Sequence, residues 1–407
     1  MSTEREAINA ETVPFLLSAR GRVALAALQE TDLHPQRTLT ILQGLRREFA
    51  AAEAGALLAL ARLRQRARSK FPDAERLFFT AEALEQATAW PIARRRAAWL
   101  ADLAPAGPIL DLGCGIGGDL LALAHERPVV GIDQDPVRLQ LAAANAEALG
   151  VSDQVTLIQA DWTELRRSGQ LPEAAVAFAD PARRAKGKRL FRLHQLQPPV
   201  AELLALQREI HILGVKVMPG VEDRDLPPNC AVEFISHDGV CKEAVLWFGN
   251  FAPLQRWATV ATPQGWQRVA TDGDAPPQGD LENIRYLHEP DPAVIRARAL
   301  GRLCYALNAH LFDSQIAYLV SAVYHEHPLV QSFRIDEIHP FQLKLLNRRL
   351  QALKIGQVEL KKRGFPVAPE ELRPRLKLVK SGQAGVVIFT RRGNQRLMLI
   401  GRRITPA

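Results

Sequence analysis

The sequence predicts an α/β protein: an open, largely parallel sheet of alternating strands and helices, preceded by a helical segment and followed by a smaller, basic α/β layer. Three observations lead there. PILDLGCGIGGD, Pro108–Asp119, runs from the end of an apolar strand through a glycine turn into a helix start, which leaves bare backbone open to a ligand at the helix N-terminus. The apolar runs PILDL, VVGID, VTLIQAD and AAVAFAD follow one another with helical stretches between them, and an acid lies in or closes each, as expected of strands meeting a ligand at their carboxyl ends. Charge is divided unevenly. Residues 341–407 hold 16 Lys/Arg and 3 Asp/Glu, a balance of +13, and leave −5 for the rest of a chain whose net charge is +8.

A chain of 407 residues with 47% hydrophobic content builds two or three domains with ordinary cores. The expected divisions are a helical 1–98, an α/β 99–280 and a basic α/β 281–407. The start, MSTEREAINAE, is charged, and the richest apolar stretch, AAAEAGALLALARL, is interrupted by Glu53 and Arg62 and too short to span a bilayer. Cys114, Cys230, Cys241 and Cys304 have no C-x-x-C spacing, so neither a metal site nor a disulfide framework is expected, and the chain reads as cytoplasmic.

In GRVALAALQETD, TLTILQGLRREFAAAEAGALLALARLRQRARSKF and AEALEQATAWPIARRRAAWL, apolar residues recur at three and four positions, the period of amphipathic helices. Arg64, Arg66, Arg68, Lys70 and Arg94 to Arg96 are read as solvated faces. Thr80 is expected to cap the helix that follows it. Further on, Asp135 and Pro136 supply an N-cap and first helical residue, Val137–Leu149 a helix, and Gly150 its stop. EIHILGVKVMP adds a fifth strand, and CAVEFISHDG with KEAVLWFG makes a hairpin about His237–Gly239, for a seven-stranded mixed sheet. RWATVAT and WQRVAT form another hairpin before TDGDAPPQGD thins into a linker near Leu281.

Gly113, Gly115 and Gly118 satisfy G-x-G-x-x-G, which by itself does not separate a dinucleotide from another nucleoside cofactor. Asp111, two residues earlier, suits a cationic or hydroxylated ligand part better than a pyrophosphate. Asp133, 22 residues later, stands at the spacing of an acid that meets a ribose hydroxyl and fits either cofactor. Asp161 with Trp162 offers an acceptor for an adenine amino group beside a ring for the base, and Asp180 with Pro181 closes the fourth strand.

From Leu100 to about Gly249 the chain resembles class I S-adenosylmethionine-dependent methyltransferases, and GCGIGGD…GIDQDP…AAANAEALGVSDQVTLIQAD is similar to RNA-modifying members of the trimethylguanosine synthase type. The resemblance implies a Rossmann-like sheet and S-adenosyl-L-methionine as cofactor. In it, Asp111, Gly113, Gly115 and Gly117 hold the methionine part, Asp133 the ribose, and Asp161 with Trp162 the adenine, with Gln134 a further cofactor contact. LFFTAE resembles a segment that reaches toward the cofactor in these enzymes, which brings in Thr80, although Ala81 replaces the family's proline. In relatives that methylate a nitrogen, the fourth strand ends in Asp or Asn, two prolines and an aromatic ring. The carboxylate or amide and a proline-fixed carbonyl accept the amino protons while the ring stacks on the base. This implies catalytic roles for Asp180 and Pro181, but Ala182 and Arg183 occupy the places of the second proline and the ring. A guanidinium plane stacks on bases too; alternatively Phe79, Trp90 or Trp162 supplies the ring. The sulfonium leaving group needs no proton, so positioning suffices.

Between Arg183 and Arg192 six of ten residues are basic and none acidic. Arg183, Arg184 and Lys186 are therefore candidate substrate contacts for phosphate or carboxylate. From Ser321 onward SFRIDEI, LKIGQVELKKRGFPVAPEELRPRLKL and AGVVIFTRRGN resemble the THUMP-like domain found behind bacterial class I methyltransferases, which implies RNA binding by analogy. Lys361, Lys362 and Arg363 are the expected phosphate contacts, with an edge strand protected by charge as the structural alternative. The expectation is a methyltransferase acting on a base nitrogen of structured RNA, tRNA or rRNA. A small-molecule methyltransferase, or a cofactor-binding RNA assembly factor without catalysis, stands as the alternative.

Overall fold

The structure, a computed structural model, describes residues 7–103, 106–181, 184–185, 188–189, 193–251, 255–271 and 273–405. It divides into two compact units, Met1–Cys230 with Leu246–Phe251, and Ala231–Val245 with Ala252–Ala407. The helical segment and the parallel strands thus lie in one unit.

In the first unit, helices α1 (Ala19–Leu28), α2 (Ala51–Ala67), α3 (Ala81–Gln86) and α4 (Trp90–Leu103) precede the sheet. Then β1 (Ile109–Leu112), α5 (Leu120–Ala124), β2 (Val129–Asp133), α6 (Pro136–Leu149), β3 (Val155–Gln159), α7 (Trp162–Arg167), β4 (Val176–Ala179), α8 (Val200–Leu206) and β5 (Ile212–Val217) alternate. All five strands are parallel, in the order β3-β2-β1-β4-β5. Strand order reverses between β1 and β4, and a crevice at the carboxyl ends beside that switch is where such sheets hold ligands. Every residue of β1, β4 and β5 is buried, as parallel strands covered on both faces require.

The helical segment is fused to this sheet through one apolar core that runs from Ile8 to Leu84 and takes in Ile116, Leu141 and Ala144. A polar staple sits within it. Asn145 of α6 is 1% exposed; its Oδ1 accepts from the Phe78 N–H at 2.7 Å, and its Nδ2 donates to the carbonyls of Phe78 at 3.1 Å and Ile116 at 3.0 Å. Helix α6 begins and ends as read from the sequence: Asp135 accepts from the N–H groups of Val137 and Arg138, and Gly150 stops it at φ +70°.

The expectation that the N-terminal cations all face solvent needs correction. Arg64 is buried, donates Nε to the Leu77 carbonyl at 2.9 Å and lies over the Phe78 ring; burial lowers its pKa to about 10. Lys70 caps the end of α3, donating to the carbonyls of Leu84, Glu85 and Ala87. Arg96 is 1% exposed, paired with Asp119 and stacked over Phe178. Helical period marks these positions as polar but cannot show the acid, ring or carbonyls that three-dimensional folding brings to them.

The second unit starts with β6 (Ala231–His237), which joins β7 (Val240–Phe248, its residues from Leu246 counted in the first unit) through Asp238 and Gly239, both at positive φ, the turn a tight hairpin favours. Strand β8 (Arg256–Thr262) pairs parallel with β6 and antiparallel with β9 (Gly265–Ala270). The hairpin read as separate therefore pairs directly onto β6. The basic layer is a seven-stranded sheet of β10 (Tyr286–Pro290), β11 (His310–Leu311), β12 (Leu319–Ser321), β13 (Val330–Pro340), β14 (Ile355–Lys362), β15 (Gln383–Arg392) and β16 (Gln395–Arg403), ordered β11-β12-β10-β13-β16-β15-β14. Helices α9 (Leu300–Leu307) and α10 (Leu343–Ala352) belong to it. DPAVIRARALGRLCYALNAHL does not form one helix: Arg298 takes a left-handed φ of +59° between a short helix Pro292–Arg296 and α9.

Candidate active site

At the carboxyl ends of β1 to β4 the first unit opens a cleft of about 680 Å³, in the size range of nucleoside and drug-sized ligand sites. The glycine loop after β1 forms its floor. Gly113 has φ +80°, and a Cβ there would stand 3.1 Å from the Asp180 carbonyl oxygen, so the loop can lie against the end of β4 only without a side chain. The loop is pinned from β2: Asp133 accepts from the Gly115 N–H and the Asp135 N–H, each at 2.9 Å. Asp161 caps α7, accepting from the Thr163 N–H at 2.8 Å and the Thr163 hydroxyl at 2.7 Å, and Trp162 beside it is buried.

Gly113, Gly115, Asp133, Gln134, Asp161, Trp162, Asp180 and Pro181 all border this one cleft, so four strand ends converge as read from the sequence. Asp111, Gly117 and Thr80 do not border it. Thr80 accepts from the Ala83 N–H as the N-cap of α3; Ala83 and Gln86 of that helix, with Ala87 and Thr88 beyond it, reach the cleft. Gly117 takes φ +96° against the Leu121 side chain. Asp111 is 1% exposed, beneath the cleft, with Oδ2 unpartnered among the described residues. Burial, then Asp119 and Asp180, push its carboxyl well above the usual range. Of the rings considered for stacking, Trp162 alone borders the cleft; Phe79 is in the core against Phe71, and Trp90 packs on His125.

The sequence reading missed what anchors Asp180. Lys216, on β5 and 2% exposed at its side chain, donates to Asp180 Oδ2 at 2.6 Å, to Thr88 Oγ1 at 2.8 Å and to the Gln86 carbonyl at 3.4 Å. Thr88 in turn donates to Asp119 Oδ2 at 2.7 Å, whose other oxygen Arg96 holds. Asp180, Lys216, Thr88, Asp119 and Arg96 form one chain of alternating charge behind the cleft. A Lys inside the apolar run ILGVKV was the available signal, because a cation in a fully buried strand requires a partner.

Arg183 and Lys186 lie outside the described residues. Arg184 is in a two-residue strand paired with Lys188–Arg189. Lys361 and Arg363 both pair with Glu289, and Arg363 also lies over the Tyr318 ring; both hold the fold of the second unit together. Lys362 is exposed.

An acid-walled cleft with a backbone floor suits a cationic nucleoside better than a diphosphate, and the comparisons with known proteins agree. Over 319 residues the chain is 35% identical to an uncharacterised S-adenosylmethionine-dependent methyltransferase of Mycobacterium tuberculosis, covering 76% of this chain and 84% of the relative. The chain belongs to that family. It is an S-adenosylmethionine-dependent methyltransferase. The RNA cap guanine-N2 methyltransferase family matches residues 106–183, the THUMP domain-like family residues 330–403, and a domain of unknown function residues 9–67. Trimethylguanosine synthase of Schizosaccharomyces pombe is 30% identical over 102 residues, 24% of this chain and 43% of that one. A crystal structure of a candidate methyltransferase from Porphyromonas gingivalis shares the fold at TM-score 0.72 and 18% identity, over 91% of this chain and 99% of that one.

The methyltransferase's own residues fit S-adenosyl-L-methionine. Bare backbone at Gly113 and Gly115, the Asp133 and Asp161 carboxylates and the Trp162 ring all border the cleft, a set of groups with the chemistry a cationic nucleoside requires. The cofactor supplies an activated methyl on a sulfonium. The chain supplies orientation, desolvation and negative charge around it. Among the described residues no helix is long and apolar enough to cross a membrane.

Proposed function

We propose that this methyltransferase acts on a nitrogen of a base in structured RNA, tRNA or rRNA. The observation that carries the reading is the Asp180 carboxylate, held at the cleft edge by the buried Lys216 and followed by Pro181. A fixed carboxylate accepts an amino proton and turns the nitrogen lone pair toward the methyl, and the Pro181 carbonyl is a second acceptor next to it. A neutral amine needs no base before transfer, so Asp180 orients the acceptor rather than deprotonating it. Trp162, bordering the same cleft, is assigned to the cofactor's adenine. The matches to RNA cap guanine-N2 methyltransferases and to THUMP-like domains support an RNA substrate. So does the +13 balance of residues 341–407.

The test is to incubate the protein with methyl-labelled cofactor and total RNA from a strain lacking it, then digest to nucleosides. Label in one N-methylated nucleoside, lost with Asp180→Ala, is expected. Label that appears only in small molecules or protein, or full turnover by Asp180→Ala and Asp180→Asn, refutes it.

A further inference from the structure

The cations of the basic layer fall into two classes. Some are neutralised: on α10 Arg349 by Glu337, and on or at the ends of the strands Lys361 and Arg363 by Glu289, Arg391 by Asp313, Arg402 by Asp336 and Arg403 by Glu359. Lys344, Arg348, Lys354, Arg375, Lys377 and Lys380 have no carboxylate partner among the described residues, and all six are exposed.

These six share one face. Helix α10 buries Leu346 and Leu350, one turn apart, which leaves Lys344 and Arg348, also one turn apart, on its solvated side. The chain from Arg375 to Lys380 is laid along this helix by side-chain amides. Asn347 Nδ2 donates to the Arg375 carbonyl at 3.0 Å, and its Oδ1 accepts from the Lys377 N–H at 2.8 Å; Gln351 Nε2 donates to the Lys377 carbonyl at 2.8 Å. Beyond them the Val379 N–H donates to the Ile355 carbonyl at 2.9 Å. Neither 343–358 nor 372–382 contains an acid. Among the described residues of both segments, Leu378, at 37% exposure, is the one exposed large apolar side chain.

We infer that this face, with Lys344, Arg348, Arg375 and Lys377 at its centre, is the surface on which the RNA backbone docks. The inference rests on the RNA reading above and gives it a location different from Lys361 and Arg363. Unneutralised Lys and Arg on a helix about 15 Å long and on the segment laid along it match a line of phosphates. The near absence of exposed apolar residues leaves no anchor for a protein hot spot or for insertion into a bilayer. Fixing the backbone of the Arg375–Lys380 segment through Asn347 and Gln351 reduces the ordering cost of binding.

The experiment measures binding of the full chain to bulk tRNA from about 50 to about 300 mM KCl, a range over which phosphate contacts report themselves as a slope. It compares the parent with Lys344→Gln/Arg348→Gln/Arg375→Gln/Lys377→Gln and with a control, Arg392→Gln/Arg396→Gln, two exposed cations elsewhere on the sheet. Removing four phosphate contacts should flatten the slope of log Kobs against log salt by about 3, with cofactor affinity by calorimetry unchanged. The control should keep the parent's slope. A quadruple variant with the parent's slope overturns the inference and leaves the RNA reading standing. A parent that binds no tRNA at any salt overturns both. Equal binding of polyglutamate or of anionic vesicles, lost in the same variant, overturns the assignment to nucleic acid.

Discussion

Replacing Lys216 by Met removes the ammonium and keeps most of the volume, so it isolates the charge. Breaking a fully buried ion pair from one side costs about 3–5 kcal/mol. Here Lys216 is 2% exposed, but the Asp180 side chain keeps 23% exposure, so water at the cleft rehydrates part of the stranded carboxylate and the lower end applies. Thr88 also loses a donor, which by itself costs about 1 kcal/mol. The expected loss of stability is about 3 kcal/mol, read by urea unfolding, and Asp180→Asn on the Lys216→Met background should restore at least about 1 kcal/mol of it. Turnover should fall further than stability explains. With Asp180 no longer held, kcat/KM on the proposed RNA substrate should drop about 100-fold while cofactor affinity stays near that of the parent. A Lys216→Met protein within about 0.5 kcal/mol of the parent, or a cycle with no coupling to Asp180, would falsify the claim that this pair organises the site.

Other outcomes follow from the same geometry. Gly113→Ala combines φ +80° with a Cβ 3.1 Å from the Asp180 carbonyl, so calorimetry should find cofactor affinity lowered at least about tenfold; an unchanged Kd contradicts the role of the floor. Asn145→Ala leaves three buried backbone groups of Phe78 and Ile116 without their partner and should cost about 3 kcal/mol, whereas a loss under about 1 kcal/mol would mean water replaces the amide. Because the Asp111 carboxyl is raised by burial, its proton is retained in the fold while the unfolded chain ionises above the usual carboxylate range; stability is therefore lost from that range upward as pH climbs toward the raised folded value, and Asp111→Asn should be more stable than the parent at neutral pH. His288, buried between Ser321 and Ser332, is lowered to about 4 by burial, with His325 and His327 adding to it. The unfolded chain binds that proton first, so acidification from about 6.5 to about 4 should remove about 3 kcal/mol. His288→Gln should flatten this stretch of a stability-against-pH curve.

Local rules decided much of this protein from the sequence alone. Buried parallel strands, an Asp-Pro helix start, a glycine stop and a glycine-rich turn are effects of neighbours along the chain, so α6, the loop after β1 and the acids at the ends of β2, β3 and β4 were legible without coordinates. The charge imbalance of residues 341–407 was legible as well, since it is a matter of counting. What neighbours cannot reveal is which distant group answers a buried charge. Arg96 and Lys216 read as a solvated face and a strand residue until folding set Asp119 and Asp180 against them, and Asp111 read as a ligand contact until β1 was covered on both sides. Lys361 and Arg363 likewise belonged with Lys344 and Arg348 in any count of charge. Only the sheet, by bringing Glu289 to the first pair and no acid to the second, separated cations that hold the fold from cations left to meet a partner. An ion pair is a property of two places in space, and the sequence specifies each place but not their distance.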